Sequence, residues 1–149
     1  IQTGPFAGVT GRSFNHLPRW LLEGMASYSQ AAVLGATSFE AYKAERTREV
    51  SGFKNSAAWL ETFLAPTGTD WRHWNSYTGN DSWRIYDVGF LATEVLVALK
   101  GPATAMQLYS NVAGGQTFDA AFASLYGISW AEAYKKIART IALEVGTAT

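Results

Sequence analysis

Polar and apolar positions fall into helical repeats along most of the chain, and no alternating run competes as a strand. Leu21, Met25, Tyr28 and Ala32 recur at spacings of four, three and four, which places them on one face of a helix. Pro18 suits the first turn of that helix, where its missing N–H is not needed, and the pattern runs to about Leu34 and stops near Gly35. A second helix is predicted after Ser38, a good N-cap, through Glu49, with Gly52 closing it. Ser56 caps a short third helix holding Trp59, Leu60 and Phe63, ended by Pro66 and Gly68. The most apolar helix runs from about Trp83 to Lys100 and carries Tyr86, Phe90, Leu91, Val95, Leu96 and Leu99. Gly101-Pro102 breaks it and starts the next, which ends at Gly114-Gly115. Thr117 caps a helix to Gly127, and Ser129-Trp130-Ala131-Glu132 is a capping box for a last helix that fades near Gly146. The expected fold is all-α, a single domain of six to seven helices over 17–146 behind an irregular Gly-, Thr- and Ser-rich arm at 1–16.

Composition adds mainly exclusions. At 149 residues the chain is the size of one domain with one core. Twelve basic and twelve acidic side chains cancel, so no nucleic-acid footprint or polybasic membrane anchor is expected. The absence of cysteine excludes disulfides, zinc–thiolate sites and cysteine nucleophiles, and it suits a secreted or extracellular bacterial protein. The longest apolar stretches are read as far too short to span a bilayer, and no signal peptide is seen. The first residue is Ile1 rather than Met, which reads as a processed product or a fragment.

The candidate chemistry starts at Leu17-Pro18-Arg19-Trp20-Leu21-Leu22-Glu23-Gly24-Met25-Ala26-Ser27-Tyr28. This helix is apolar nearly all round yet carries a carboxylate, Glu23, and a carboxylate in apolar surroundings must be paired, protonated or bound to a metal. Arg19, four residues earlier, offers a simple ion pair. Small residues at Gly24, Ala26 and Ser27 would instead let another backbone or a cofactor come close. Glu94 is a second acid in an apolar helix, where bonding to a neighbouring helix or an arginine is the expected role. His16 reads as a capping or surface histidine, and His73 lies in the long loop at 66–82 with Trp71, Trp74 and Tyr77. A connection of that length is often functional.

The Leu17–Tyr28 segment resembles the P-x-W-L-x-E-G-x-A-x-Y stretch of gluzincin zinc metallopeptidases, most closely the peptidase-MA-like group. Tyr86-Asp87-Val88-Gly89 is similar to the Y-x-K-G helix start of aminopeptidase-like members, with Val88 in place of the lysine. Leu99-Lys100-Gly101, Phe118–Phe122 and Tyr126–Ser129 extend the resemblance over most of 17–145. By this resemblance Glu23 is the third ligand of a catalytic Zn2+, and the Tyr86 hydroxyl steadies the oxyanion formed from a peptide or protein substrate. The His-Glu-x-x-His motif that supplies the other two ligands and the general base is missing, since His16 and His73 are the only histidines. Three accounts stand open: truncation between the motifs, a pseudoenzyme, or an upstream segment or partner chain supplying the helix with two histidines. As written the chain is expected to bind zinc poorly and to be inactive alone. The rival reading is a non-catalytic helical binding or structural module that uses the aromatic loop to contact a partner or glycan.

Overall fold

Serine or threonine side chains start four of the six helices found among the described residues. The computed structural model describes residues 16–67 and 83–147, together with Pro5 and Ala7. The helices are α1 (Arg19–Gly35), α2 (Phe39–Glu49), α3 (Ala57–Leu64), α4 (Arg84–Ala113), α5 (Phe118–Tyr126) and α6 (Trp130–Glu144), and no strand occurs among the described residues. Ser38, Ser56, Thr117 and Ser129 each accept a hydrogen bond from the backbone N–H three residues on, at 3.2 to 3.4 Å, which satisfies an amide that the helix itself leaves open. Glu132 bonds back to the Ser129 N–H at 3.3 Å and completes the capping box. At Gly127 the chain leaves α5 with φ +81°, a left-handed turn that a side chain would strain.

Helix α1 begins one residue later than the pattern at Pro18 suggests. Pro18 is the N-cap, and its carbonyl accepts from the Leu21 and Leu22 N–H groups. The predicted break at Gly101-Pro102 is present as a kink inside α4, with Gly101 at φ 80°, ψ 163°. The first half of α4 therefore ends where proline cannot continue it, and the second half starts with proline at a position where no N–H is needed. By length and composition alone α4 would reach across a membrane, with mean hydropathy 1.3 in its most apolar window. Helix α4 is thus two helical halves that meet at the non-helical Gly101, as the sequence expectation had them. It is the central helix of the fold, with Ile85, Val88, Phe90, Leu91, Leu96, Leu108 and Val112 buried. The expected arm at 1–16 and the loop at 66–82 lie almost wholly outside the described residues.

The core has two parts. In one, α1 crosses α4 so closely that Gly24 and Gly89 meet backbone to backbone, and a Cβ built on Gly24 would stand 2.0 Å from the Gly89 carbonyl carbon. The kinked second half of α4 returns to the same helix, where the buried Tyr109 hydroxyl donates to the Leu21 carbonyl at 3.1 Å. In the other, Trp20 stacks on Trp130 with centroids 5.4 Å apart, while Phe118 and Phe122 meet the Trp130 ring edge-on at 5.2 and 4.9 Å. The Trp130 indole N–H donates to the Leu64 carbonyl at 3.1 Å, which ties α6 to the end of α3. Helix α2 contributes no buried residue. Tyr42 packs on Tyr28 and the buried Phe90, and polar contacts supply the rest of the helix's attachment.

Candidate functional site

Glu23 follows Leu22 into the α1–α4 interface and is half-buried, between the buried Leu22 and Gly24. It makes no hydrogen bond or ion pair among the described residues, so the Arg19 pair expected from the sequence does not form. Its charge is felt by Tyr109: burial pushes that hydroxyl well above its ordinary pKa, and the Glu23 carboxylate pushes it further. Gly24, the next residue, is where the backbone of α4 arrives. The small-residue reading of this stretch is thus met by a helix rather than a cofactor, while Ala26 stays exposed.

Tyr86 lies one turn before Gly89 and flanks the same crossing from the α4 side. Its ring packs against the core and 6.1 Å from the exposed Trp83, and its hydroxyl makes no hydrogen bond among the described residues. Beside it Asp87 is buried, pairs with Arg84 and accepts the Val88 N–H at 2.7 Å. Desolvation raises the Asp87 pKa, against the lowering pull of Arg84 and that N–H. Neither Glu23 nor Tyr86 lines either of the two clefts described below. His16 is partly buried just before α1, and His73, Trp71, Trp74 and Tyr77 lie outside the described residues. Among the described residues no three His, Cys, Asp or Glu side chains gather where a metal would sit.

The second polar centre is one the sequence only half announces. Glu94 accepts the Arg46 Nε–H at 2.9 Å on each oxygen and also the Tyr42 O–H. Arg46 reaches on to Glu144 of α6, Nη2 to Oε1 at 2.9 Å. The expectation that Glu94 bonds a neighbouring helix or an arginine is correct. Its partners Tyr42 and Arg46 on α2, and Glu144 of α6 beyond Arg46, are far away in sequence and carry no local sign of the arrangement. Tyr28 and Tyr42 meet edge to face at 6.4 Å above it, and burial together with the Glu94 charge raises both hydroxyl pKa values. These groups close one end of a cleft of 610 Å³ walled by Val95, Val97, Ala98 and Leu99.

Because α2 has no fully buried residue, this network is one of its principal attachments, beside the Tyr42 ring contacts. Glu94→Ala is expected to cost about 1.5–3 kcal/mol, the value of hydrogen bonds to a charged group. The loss should appear as faster amide hydrogen exchange in α2, with α6 little changed. Uniform deprotection of all helices, or none, would refute the anchoring role.

The chain has no match among protein-family profiles, curated proteins or solved structures.

Proposed function

We propose that the chain is the C-terminal helical part of a gluzincin-type zinc metallopeptidase that hydrolyses peptide bonds, carrying one zinc ligand and inactive alone. What supports this reading is the position of Glu23 and Tyr86, next to and one turn from the two glycines that meet at the α1–α4 crossing. Glu23 and Tyr86 flank one Gly24–Gly89 contact, both partly buried, both with polar groups that bond nothing among the described residues. A partly buried carboxylate that bonds no described residue is open to an outside ligand. One carboxylate does not make a metal site, and the described residues do not fit a zinc ion by themselves. The remaining donors must come from a segment or chain outside these residues. Within the proposal Glu23 supplies negative charge and one oxygen ligand. Tyr86 donates its O–H to a substrate carbonyl oxygen as that oxygen gains charge.

The test uses the protein encoded by the full open reading frame. Glu23→Gln is expected to lower zinc content and activity together, by more than the about 10- to 100-fold in metal affinity lost when only an outer-shell partner of a ligand is removed. Tyr86→Phe is expected to keep the zinc and lower kcat by about 100-fold, the loss typical of one oxyanion donor. Metal analysis beside a peptidase assay separates the two. Full zinc and full activity in both variants would overturn the assignment, and an open reading frame without His-Glu-x-x-His would favour the non-catalytic module.

A further inference from the structure

The 610 Å³ cleft does not end at its apolar wall. Val95, Leu99 and Thr140 line it and also line a second cleft of 260 Å³, so the two form one groove between α4 and α6. The two helices run antiparallel along it. Glu94 and Glu144 meet through Arg46 at one end, and Lys100 and Lys136 border the other. The carboxylates outnumber Arg46 at the acidic end, leaving an excess of one negative charge. Arg46 Nη2 meets Oε1 of Glu144, and the Glu144 side chain, 45% exposed, lines the groove. Tyr28 and Tyr42 line the same end, and the Tyr28 hydroxyl makes no hydrogen bond among the described residues. At the basic end Lys100 and Lys136 form no ion pair among the described residues; Glu132, one turn before Lys136 and bonded to Ser129, feels the Lys136 charge, and the two lysines leave an excess of one positive charge. The middle is apolar, with Leu99 left 63% exposed.

The span between the charged ends is set by helix geometry. Glu94 to Lys100 is about 9 Å and Lys136 to Glu144 about 12 Å at 1.5 Å per residue. An extended peptide of three residues covers about 10 Å.

We propose that this groove binds a short apolar peptide with both termini free, about three residues long. Its α-ammonium group sits against Glu144 and the tyrosine rings, and its carboxylate sits between Lys100 and Lys136. The apolar side chains cover Val95, Leu99 and Ile137. Charge complementarity selects this occupant. A simple anion or cation would satisfy one end only, and a longer chain would carry uncharged peptide groups past one of them. The groove shares no residue with the Glu23–Tyr86 crossing, so the inference does not rest on the metallopeptidase reading.

Titration calorimetry of the chain with the tripeptide Ala-Leu-Ala, in free, N-acetylated and C-amidated forms, tests it. Each cap is expected to weaken binding about fivefold, in line with about 1 kcal/mol for a partly exposed ion pair. Glu144→Gln should weaken the free peptide by the same factor and leave the N-acetylated one unchanged. Lys136→Gln should show that relation to the C-amidated form. Equal binding of all three forms, or no binding by a wild-type chain with intact helical circular dichroism, would overturn the proposal. A groove closed by a second copy of the chain, seen as a dimer in sedimentation, would overturn it as well.

Discussion

Adding a single methyl group at position 24 is expected to destabilise the domain by about 3 kcal/mol or more, the upper end of the usual cost of overpacking. The reason is what the methyl would meet. A Cβ on Gly24 would lie 2.0 Å from the Gly89 carbonyl carbon and 2.2 Å from its oxygen, and carbons in contact sit at about 3.5–4.0 Å. A crowded side chain can change rotamer, but these atoms belong to the backbone of α4. Helices α1 and α4 would have to separate, and Trp20, Leu21, Met25 and Leu91 would lose their packing with them. Gly89→Ala meets the same obstacle from the other side, with the Trp20 carbonyl oxygen at 2.2 Å. Gly114→Ala is the control. Its φ of −70° suits any residue, and its nearest atom is the Ser110 carbonyl oxygen at 3.3 Å. Urea unfolding should show a large drop in midpoint for Gly24→Ala and little change for Gly114→Ala. Similar midpoints for the two would mean that the helices do not touch at this point.

Trp130→Ala is expected to cost about 3–5 kcal/mol from lost packing and the cavity left behind. Unfolding free energies of small domains are about 5–15 kcal/mol, so this removes a large share of the total. The Trp130 ring is 2% exposed and serves as the hub of the aromatic cluster, touching Trp20, Phe118, Phe122 and Tyr134. Truncation also strands the buried Leu64 carbonyl, which the indole N–H satisfies at 3.1 Å. Trp130→Phe isolates that last part, because it keeps a ring in the cluster and loses the donor. It should fall well short of the alanine variant in denaturant midpoint. Equal losses would assign the stabilisation to the hydrogen bond rather than to the packing.

The two substitutions mark what the sequence could and could not reveal. Helix starts were legible because they are local: Ser38, Ser56, Thr117 and Ser129 each bond an amide three residues away. The break at Gly101 was legible for the same reason, since proline follows it. Gly24 signalled a close approach, but nothing in α1 says that its neighbour is Gly89 rather than a ligand. The aromatic residues illustrate the limit more sharply. Sequence reading singled out Trp71, Trp74 and Tyr77 in a loop, whereas Trp20 and Trp130, in ordinary apolar patterns, turn out to stack on each other across 110 residues of chain. The polar network is harder still. Tyr42 and Arg46 lie on a helix of alternating charges, and only tertiary packing turns them onto Glu94 and Glu144. The same holds for the groove. The spacing of Lys136, Thr140 and Glu144 is visible as one helix face, but the opposing Glu94-to-Lys100 face becomes relevant only once α4 and α6 run antiparallel.

Glu23 was legible as an awkward carboxylate, and the structure sharpens it by removing the Arg19 explanation. Its assignment as a ligand can be tested at the atom itself. Crystals of the full open reading frame product, grown with zinc and measured on both sides of the zinc absorption edge, should show an anomalous peak about 2.0–2.2 Å from a Glu23 carboxylate oxygen. Two histidine nitrogens from outside this chain's described residues should complete the protein ligands. A zinc peak remote from Glu23, or Glu23 engaged only by protein groups in a zinc-loaded crystal, would contradict the account.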